Sequence, residues 1–83
     1  MTEHVQAIIR NTEAILLEAG SSLENVVKVV VYMKDAKAMP EFAAVYDPAL
    51  PHKPARSMVE VSHLPAGVDI QVDFIAVTTS PSL

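Results

Sequence analysis

The sequence predicts an α+β domain in which two helices cover one face of a small mixed sheet, in the order α, β, α, β, β. Three observations carry this. Residues 3–19 repeat apolar side chains at helical spacing, residues 26–33 are a nearly unbroken β-branched run, and the stretch from Arg56 to Val77 alternates with period two about a Pro/Gly turn. Eighty-three residues leave room for one core, so the chain reads as a single domain over 1–83, and 51% hydrophobic composition is too apolar for disorder.

The first helix carries Val5, Ile8, Ile9, Thr12, Ile15, Leu16 and Ala19 on one stripe, with Glu3, Arg10, Glu13 and Glu18 off it. Thr2 is the expected N-cap, and Gly20 supplies the left-handed conformation that ends a helix. Ser21 and Glu24 have capping-box spacing, which predicts one short helical turn. Val26 to Met33 then reads as a central strand covered on both faces. Asp35 reads as a turn or cap residue, and Pro40 opens a second helix of about two turns through Tyr46.

Pro48, Pro51 and Pro54 predict a connecting loop over 47–54, because each removes a backbone donor and biases the residue before it to extended geometry. A strand over Arg56 to His63 places Arg56, Met58, Glu60 and Ser62 on one face. Leu64 to Gly67 make a turn. The last strand, 69–77, sends Ile70, Val72, Phe74 and Ala76 to one face and Asp69, Gln71 and Asp73 to a polar end of the other, and residues 78–83 read as a tail. Three strands and two helices leave one sheet face and one edge open, and strands this apolar call for self-association.

Composition excludes several function classes. With no cysteine there are no thiol nucleophiles, redox pairs or thiolate metal cages. Six Lys and Arg against ten Asp and Glu give a net charge of −4, unsuited to a phosphate backbone. The longest apolar run falls far short of the roughly 20 residues of a membrane span, and no signal segment is legible, so a soluble protein is expected. His4, His52 and His63 have no metal-ligand spacing, and the sequence lacks both a nucleophile elbow and a phosphate-binding glycine loop.

One residue invites a functional reading. Arg56 follows Pro54 and Ala55 at a strand entrance, where restricted backbone angles aim a planar five-donor fork that suits carboxylates. The alternative is a surface ion pair with Glu60, four residues on along the same face. Glu60, Asp69 and Asp73 are the carboxylates this topology is expected to bring near it.

The run from Gly20 to Asp35, then Phe42 to Asp47, Pro54-Ala-Arg-Ser57, Val59-Glu-Val61, Leu64-Pro65 and Gly67 to Ala76 resembles the RidA/YjgF family of reactive intermediate deaminases. The resemblance implies a chorismate-mutase-like fold, a homotrimer with sites in the clefts between subunits, and hydrolysis of 2-imino acids or their enamine tautomers to 2-keto acids and ammonia. It implies no cofactor, while composition and spacing argue against metal, nucleic acid and membrane partners; a cytoplasmic location is expected, or a mitochondrial one if an upstream segment is missing. Arg56 takes the place of the family arginine that clamps the substrate carboxylate, with Tyr46 and Met58 beside it in the substrate site.

The sequence also departs from the family pattern. It begins at what is usually the first helix, so it reads as an N-terminally shortened member lacking the usual N-terminal strands. Met58 stands where many members have cysteine. Gln71 stands where the deaminases usually carry the glutamate associated with the attacking water, and an amide cannot take that water's proton. Two expectations follow: an imine deaminase, impaired in this short chain, or a weakly active or silent relative serving as an oligomeric module that binds small carboxylates.

Overall fold

The computed structural model describes residues 1–78; the expected tail from residue 79 onward lies outside the described residues. Helix α1 spans Thr2–Glu18, strand β1 Val26–Met33, helix α2 Met39–Ala49, strand β2 Ala55–Glu60 and strand β3 Ile70–Ala76. Single 3-10 turns at Leu23–Asn25, Ala36–Ala38 and Pro65–Gly67 link them. The three strands form one sheet in the order β2-β1-β3. The β-branched run is therefore central, parallel to β2 and antiparallel to β3. This is the expected α+β order, with both helices on one face.

The end of α1 follows from its glycine. Gly20 sits at φ +80, its N–H donates to the Leu17 carbonyl at 3.2 Å, and the Ser21 N–H reaches back to Leu16 at 2.7 Å. This is the paired-bond helix stop that a left-handed residue allows. Two expected caps are not made. Thr2 lies inside the helix and its hydroxyl donates instead to Glu41 Oε2 at 2.7 Å, while its N–H donates to the same oxygen at 2.8 Å, joining the start of α1 to the start of α2. These hydrogen bonds hold the Glu41 carboxyl below its usual range. Ser21 caps no turn; its hydroxyl donates to the Val77 carbonyl and ties the helix exit to the end of β3.

Proline placement also departs from expectation. Helix α2 runs on to Ala49 through Pro48, inside the segment expected to be a loop. A proline in the last turn removes only one helical donor, and the Leu50 N–H still closes on Tyr46 at 3.1 Å. The loop shrinks to residues 50–54, and β2 ends at Glu60 rather than His63.

The core lies between the helices and one face of the sheet. Val5 and Ile9 of α1, Phe42 and Tyr46 of α2, Leu50, Val29, Val31 and Met33 of β1, and Ile70 are buried together. Met58, Val72, Phe74 and Ala76 pack against them from the flanking strands. The α1 stripe is buried only in its first half: Ile15, expected in the core, is 68% exposed. The other correction concerns β1, expected to be covered on both faces. In this chain, alternation leaves Lys28, Val30 and Tyr32 on an uncovered face, aligned with Ser57 and Val59 of β2 and with Gln71, Asp73 and Ile75 of β3.

Candidate functional site

The chain leaves β1, forms α2 and returns as β2 parallel to β1, and this crossover sets the last turn of α2 against the first residues of β2. Arg56 aligns with buried Val29, so its side chain points to the helix side of the sheet. There its guanidinium carbon lies 4.9 Å from the centroid of the Tyr46 ring, which stacks on Phe42 at 5.1 Å. A cation over an aromatic face is attracted by the ring quadrupole and has its plane oriented by it. Arg56 Nη1 donates to Asp47 Oδ1 at 2.9 Å.

Beside this pair is a hollow of about 360 Å³, lined by Tyr46, Asp47, Leu50, Pro51, Lys53, Pro54 and Arg56. Its lining joins the end of α2 to the short proline loop and carries two cations and one anion. The loop is anchored by the His52 ring, whose Nε2 lies 3.0 Å from the Val26 carbonyl oxygen. Lys53 holds a left-handed backbone, φ 53, with its N–H on the Leu50 carbonyl at 3.2 Å. A non-glycine residue in that region is strained, and the tight turn between α2 and β2 imposes it. The Tyr46 hydroxyl is buried and makes no hydrogen bond with the described residues. Burial raises its pKa, Asp47 adds to the rise, and the Arg56 cation opposes it.

The structure brings together some of the expected site residues and separates others. Arg56, Tyr46 and Met58 share the helix side, and Met58 aligns with Val31 and packs against the core. Gln71 aligns with Tyr32 and Asp73 with Val30, so both point to the uncovered face from the strand on the far side of β1. Arg56 and Gln71 therefore lie on opposite faces and opposite outer strands. The alternative Arg56–Glu60 pair is not formed, because Glu60 Oε1 accepts from the Ala36 N–H at 2.7 Å. Asp69 and Asp73, also expected near Arg56, belong to the β3 side of the sheet. The carboxylate beside Arg56 is Asp47, which no local sequence signal singles out. Its spacing of nine residues matches no helix or strand period, and only the crossover makes the two neighbours. Among the described residues no cluster of three or more His, Asp or Glu side chains could hold a metal ion, and no helix is long and apolar enough to cross a membrane.

Comparison with known proteins gives this arrangement its relatives. The family model described as Endoribonuclease L-PSP matches residues 1–78. The chain is 44% identical over 78 residues to the mitochondrial protein Mmf1 of Saccharomyces cerevisiae, covering 93% of this chain and 54% of that protein. It is 47% identical over 75 residues to a RutC family protein of Pyrococcus abyssi, covering 89% of this chain and 59% of that one. The crystal structure of yeast Mmf1 superposes with a TM-score of 0.91 at 43% identity, over 94% of this chain and 63% of that chain. That of RidA from an Antarctic Psychrobacter superposes at 0.82 and 32% identity, over 87% of this chain and 59% of that chain. The chain thus spans a little over half the length of the curated relatives it matches. On the match of family model, sequence and fold together, it belongs to the RidA/YjgF family, also described as Endoribonuclease L-PSP.

Proposed function

We propose that the protein takes part in hydrolytic deamination of 2-imino acids and their enamine tautomers to 2-keto acids and ammonia. The observation that carries this reading is the Arg56 fork, oriented on the Tyr46 ring at the rim of a hollow sized for a small molecule. Arg56 clamps the substrate carboxylate through its N–H donors. Water adds to the imine carbon to give a carbinolamine, and the carbon–nitrogen bond then breaks to release ammonia and leave the keto group. The amide of Gln71 can position that water by hydrogen bonding, while the proton it loses needs another acceptor, for which Asp73, two residues on along the same face, offers a carboxylate. The reaction needs no cofactor.

A homotrimer reconciles the clamp and the water site. The uncovered sheet face carries Val30, Tyr32, Val59 and Ile75, the last two 40% and 54% exposed. Covering that face with further copies removes apolar surface from water, and on this reading the site draws Arg56 and Gln71 from different copies. A second reading has its own observation. Within one chain Arg56 and Gln71 do not converge, which favours a small-carboxylate-binding module when the chain acts without its longer relatives' additional segments. The ribonuclease suggested by the family description is disfavoured by the net charge of −4. On this reading the 83 residues act as one domain, in the cytoplasm or, as the name of the yeast relative suggests, in the mitochondrion.

The test is the decay of 2-iminopropanoate generated in situ by an amino-acid oxidase. Proton handling by a side chain is typically worth about 10² to 10⁴-fold, so this chain should fall short of a full-length relative by about that factor. Gln71→Glu should recover rate once the N-terminal strands of a longer relative are joined to it. No activity in that extended Gln71→Glu form would defeat the deaminase reading. Full activity in the unmodified chain would defeat the impairment assigned to Gln71.

A further inference from the structure

We propose that Asp47 is the charge-selecting residue of the Arg56 hollow: an internal carboxylate that a ligand must displace and that turns away dianions, so that the site takes small monocarboxylates. This rests on the reading of Arg56 as a carboxylate clamp and goes beyond it by assigning the charge of the ligand.

Three observations support the assignment. First, the pair is one oxygen on one nitrogen: Asp47 Oδ1 accepts from Nη1 at 2.9 Å. A guanidinium offers five N–H donors in a plane and grips a carboxylate with two of them at once. Asp47 therefore holds Nη1 by a single bond, and a ligand that takes a two-pronged grip through Nη1 displaces it. Second, the partners are unequally held. The Arg56 side chain is 29% exposed and fixed over the Tyr46 ring, whereas the Asp47 side chain is 62% exposed. The carboxylate is the more exposed partner, and exposed ion pairs are weak enough for a bidentate ligand to replace.

The third observation is the charge around the hollow. Arg56 and Lys53 contribute two positive charges and Asp47 one negative charge, a balance of one positive charge. A monoanion neutralises that balance, whereas a dianion brings one negative charge more than the balance takes and meets the Asp47 carboxylate in the same lining. The opposite role for Asp47, holding Arg56 in place for its ligand, predicts the opposite sign when its charge is removed.

Calorimetric titration of the full chain with pyruvate and with 2-oxoglutarate decides between them, using the wild type, Asp47→Asn and Arg56→Ala, with thermal melts to verify folding. Asp47→Ser provides a second charge-free variant should the amide disturb the helix end. Removing the competing charge should tighten pyruvate binding by about two- to fivefold, the strength of an exposed ion pair. It should tighten 2-oxoglutarate more, by about tenfold, and both gains should shrink as salt is raised. Unchanged or weaker binding in both charge-free variants, with Arg56→Ala losing affinity, overturns the role of Asp47 and leaves the clamp standing. Equal binding by Arg56→Ala and wild type, or no binding by either wild type or Asp47→Asn, overturns both.

Discussion

The two faces of the same sheet are finished to different degrees. On the helix side, Val29, Val31 and Met33 of the central strand are fully buried beneath Phe42 and Val5, and Met58, Val72 and Phe74 extend the same surface outward. On the other side, Val30 and Tyr32 of that strand look outward beside Val59, Ile75, Gln71 and Asp73 with none of the described residues above them. Adjacent residues of one strand thus serve two purposes, since every second side chain crosses the sheet. The covered face makes the fold and holds Arg56. The uncovered face holds Gln71 beside the exposed Val59 and Ile75, the surface that the proposed assembly would cover. Within one chain, Arg56 and Gln71 stay on opposite sides of the sheet.

That contrast can be broken most sharply from the covered side. Phe42 is 1% exposed and supports the Tyr46 ring, so Phe42→Ala should destabilise the chain by about 3–5 kcal/mol in denaturant titration, enough to unfold a domain this small. Ile75→Ala, at a position 54% exposed within the chain, should shift the stability of an isolated chain by less than about 0.5 kcal/mol. Equal losses at the two positions would mean that the faces are equally covered in solution.

The uncovered face is probed next. Sedimentation equilibrium at micromolar concentration should find a species near three chain masses, and Ile75→Asp with Val59→Asp should return it to one. A wild type that sediments as a folded single chain would refute the assembly. Of intermediate size is the loss at the clamp: Arg56→Ala should weaken a 2-keto acid by about 1.5–3 kcal/mol, and Arg56→Lys should restore only part, because a point charge cannot replace a fork. Smaller again is Ser21→Ala, which removes the tie to Val77 and should cost about 1 kcal/mol in thermal or chemical unfolding.

The smallest effects are electrostatic and are read from pH. The Glu41 carboxyl lies below its usual value of 4.5 because Thr2 donates two hydrogen bonds to it. The unfolded chain therefore takes up this proton first as pH falls, so the contribution is complete above the usual carboxylate range and lost as pH drops through the lowered folded value. Glu41→Gln should remove that part of the acid slope. At the other extreme, burial raises Tyr46 above its usual 10.0, so stability should be lost as pH rises from there through the raised folded value. Tyr46→Phe should flatten that alkaline loss.

Much of this is legible from the chain alone. The spacing of Val5, Ile8 and Ile9, the β-branched run from Val26 to Met33 and the left-handed demand met by Gly20 are local signals, carried by neighbours a few residues apart, and each produces its expected element. The motifs around Arg56 likewise point to the family independently of the fold. Where local signals mislead, another contact outbids them. Thr2 turns to Glu41 rather than to its own helix, Ser21 turns to Val77 rather than to Glu24, and helix α2 carries on past the point where Pro48 suggests a stop.

The candidate site divides along the same line. Residue identity determines that Arg56 can bind a carboxylate, because the five-donor fork is a property of the side chain itself. Which carboxylate it meets in the folded chain is decided by the crossover that carries α2 back to β2: Asp47, nine residues earlier, replaces Glu60, four residues later. Sequence alternation places Gln71 and Asp73 on one face of their strand, but only the register against β1 puts that face opposite Arg56. The reason is physical. Periodicity and backbone propensity act over one turn or one pleat and can be read along the chain, whereas pairing between distant segments depends on strand order and register, which are set by burial of the whole apolar surface at once.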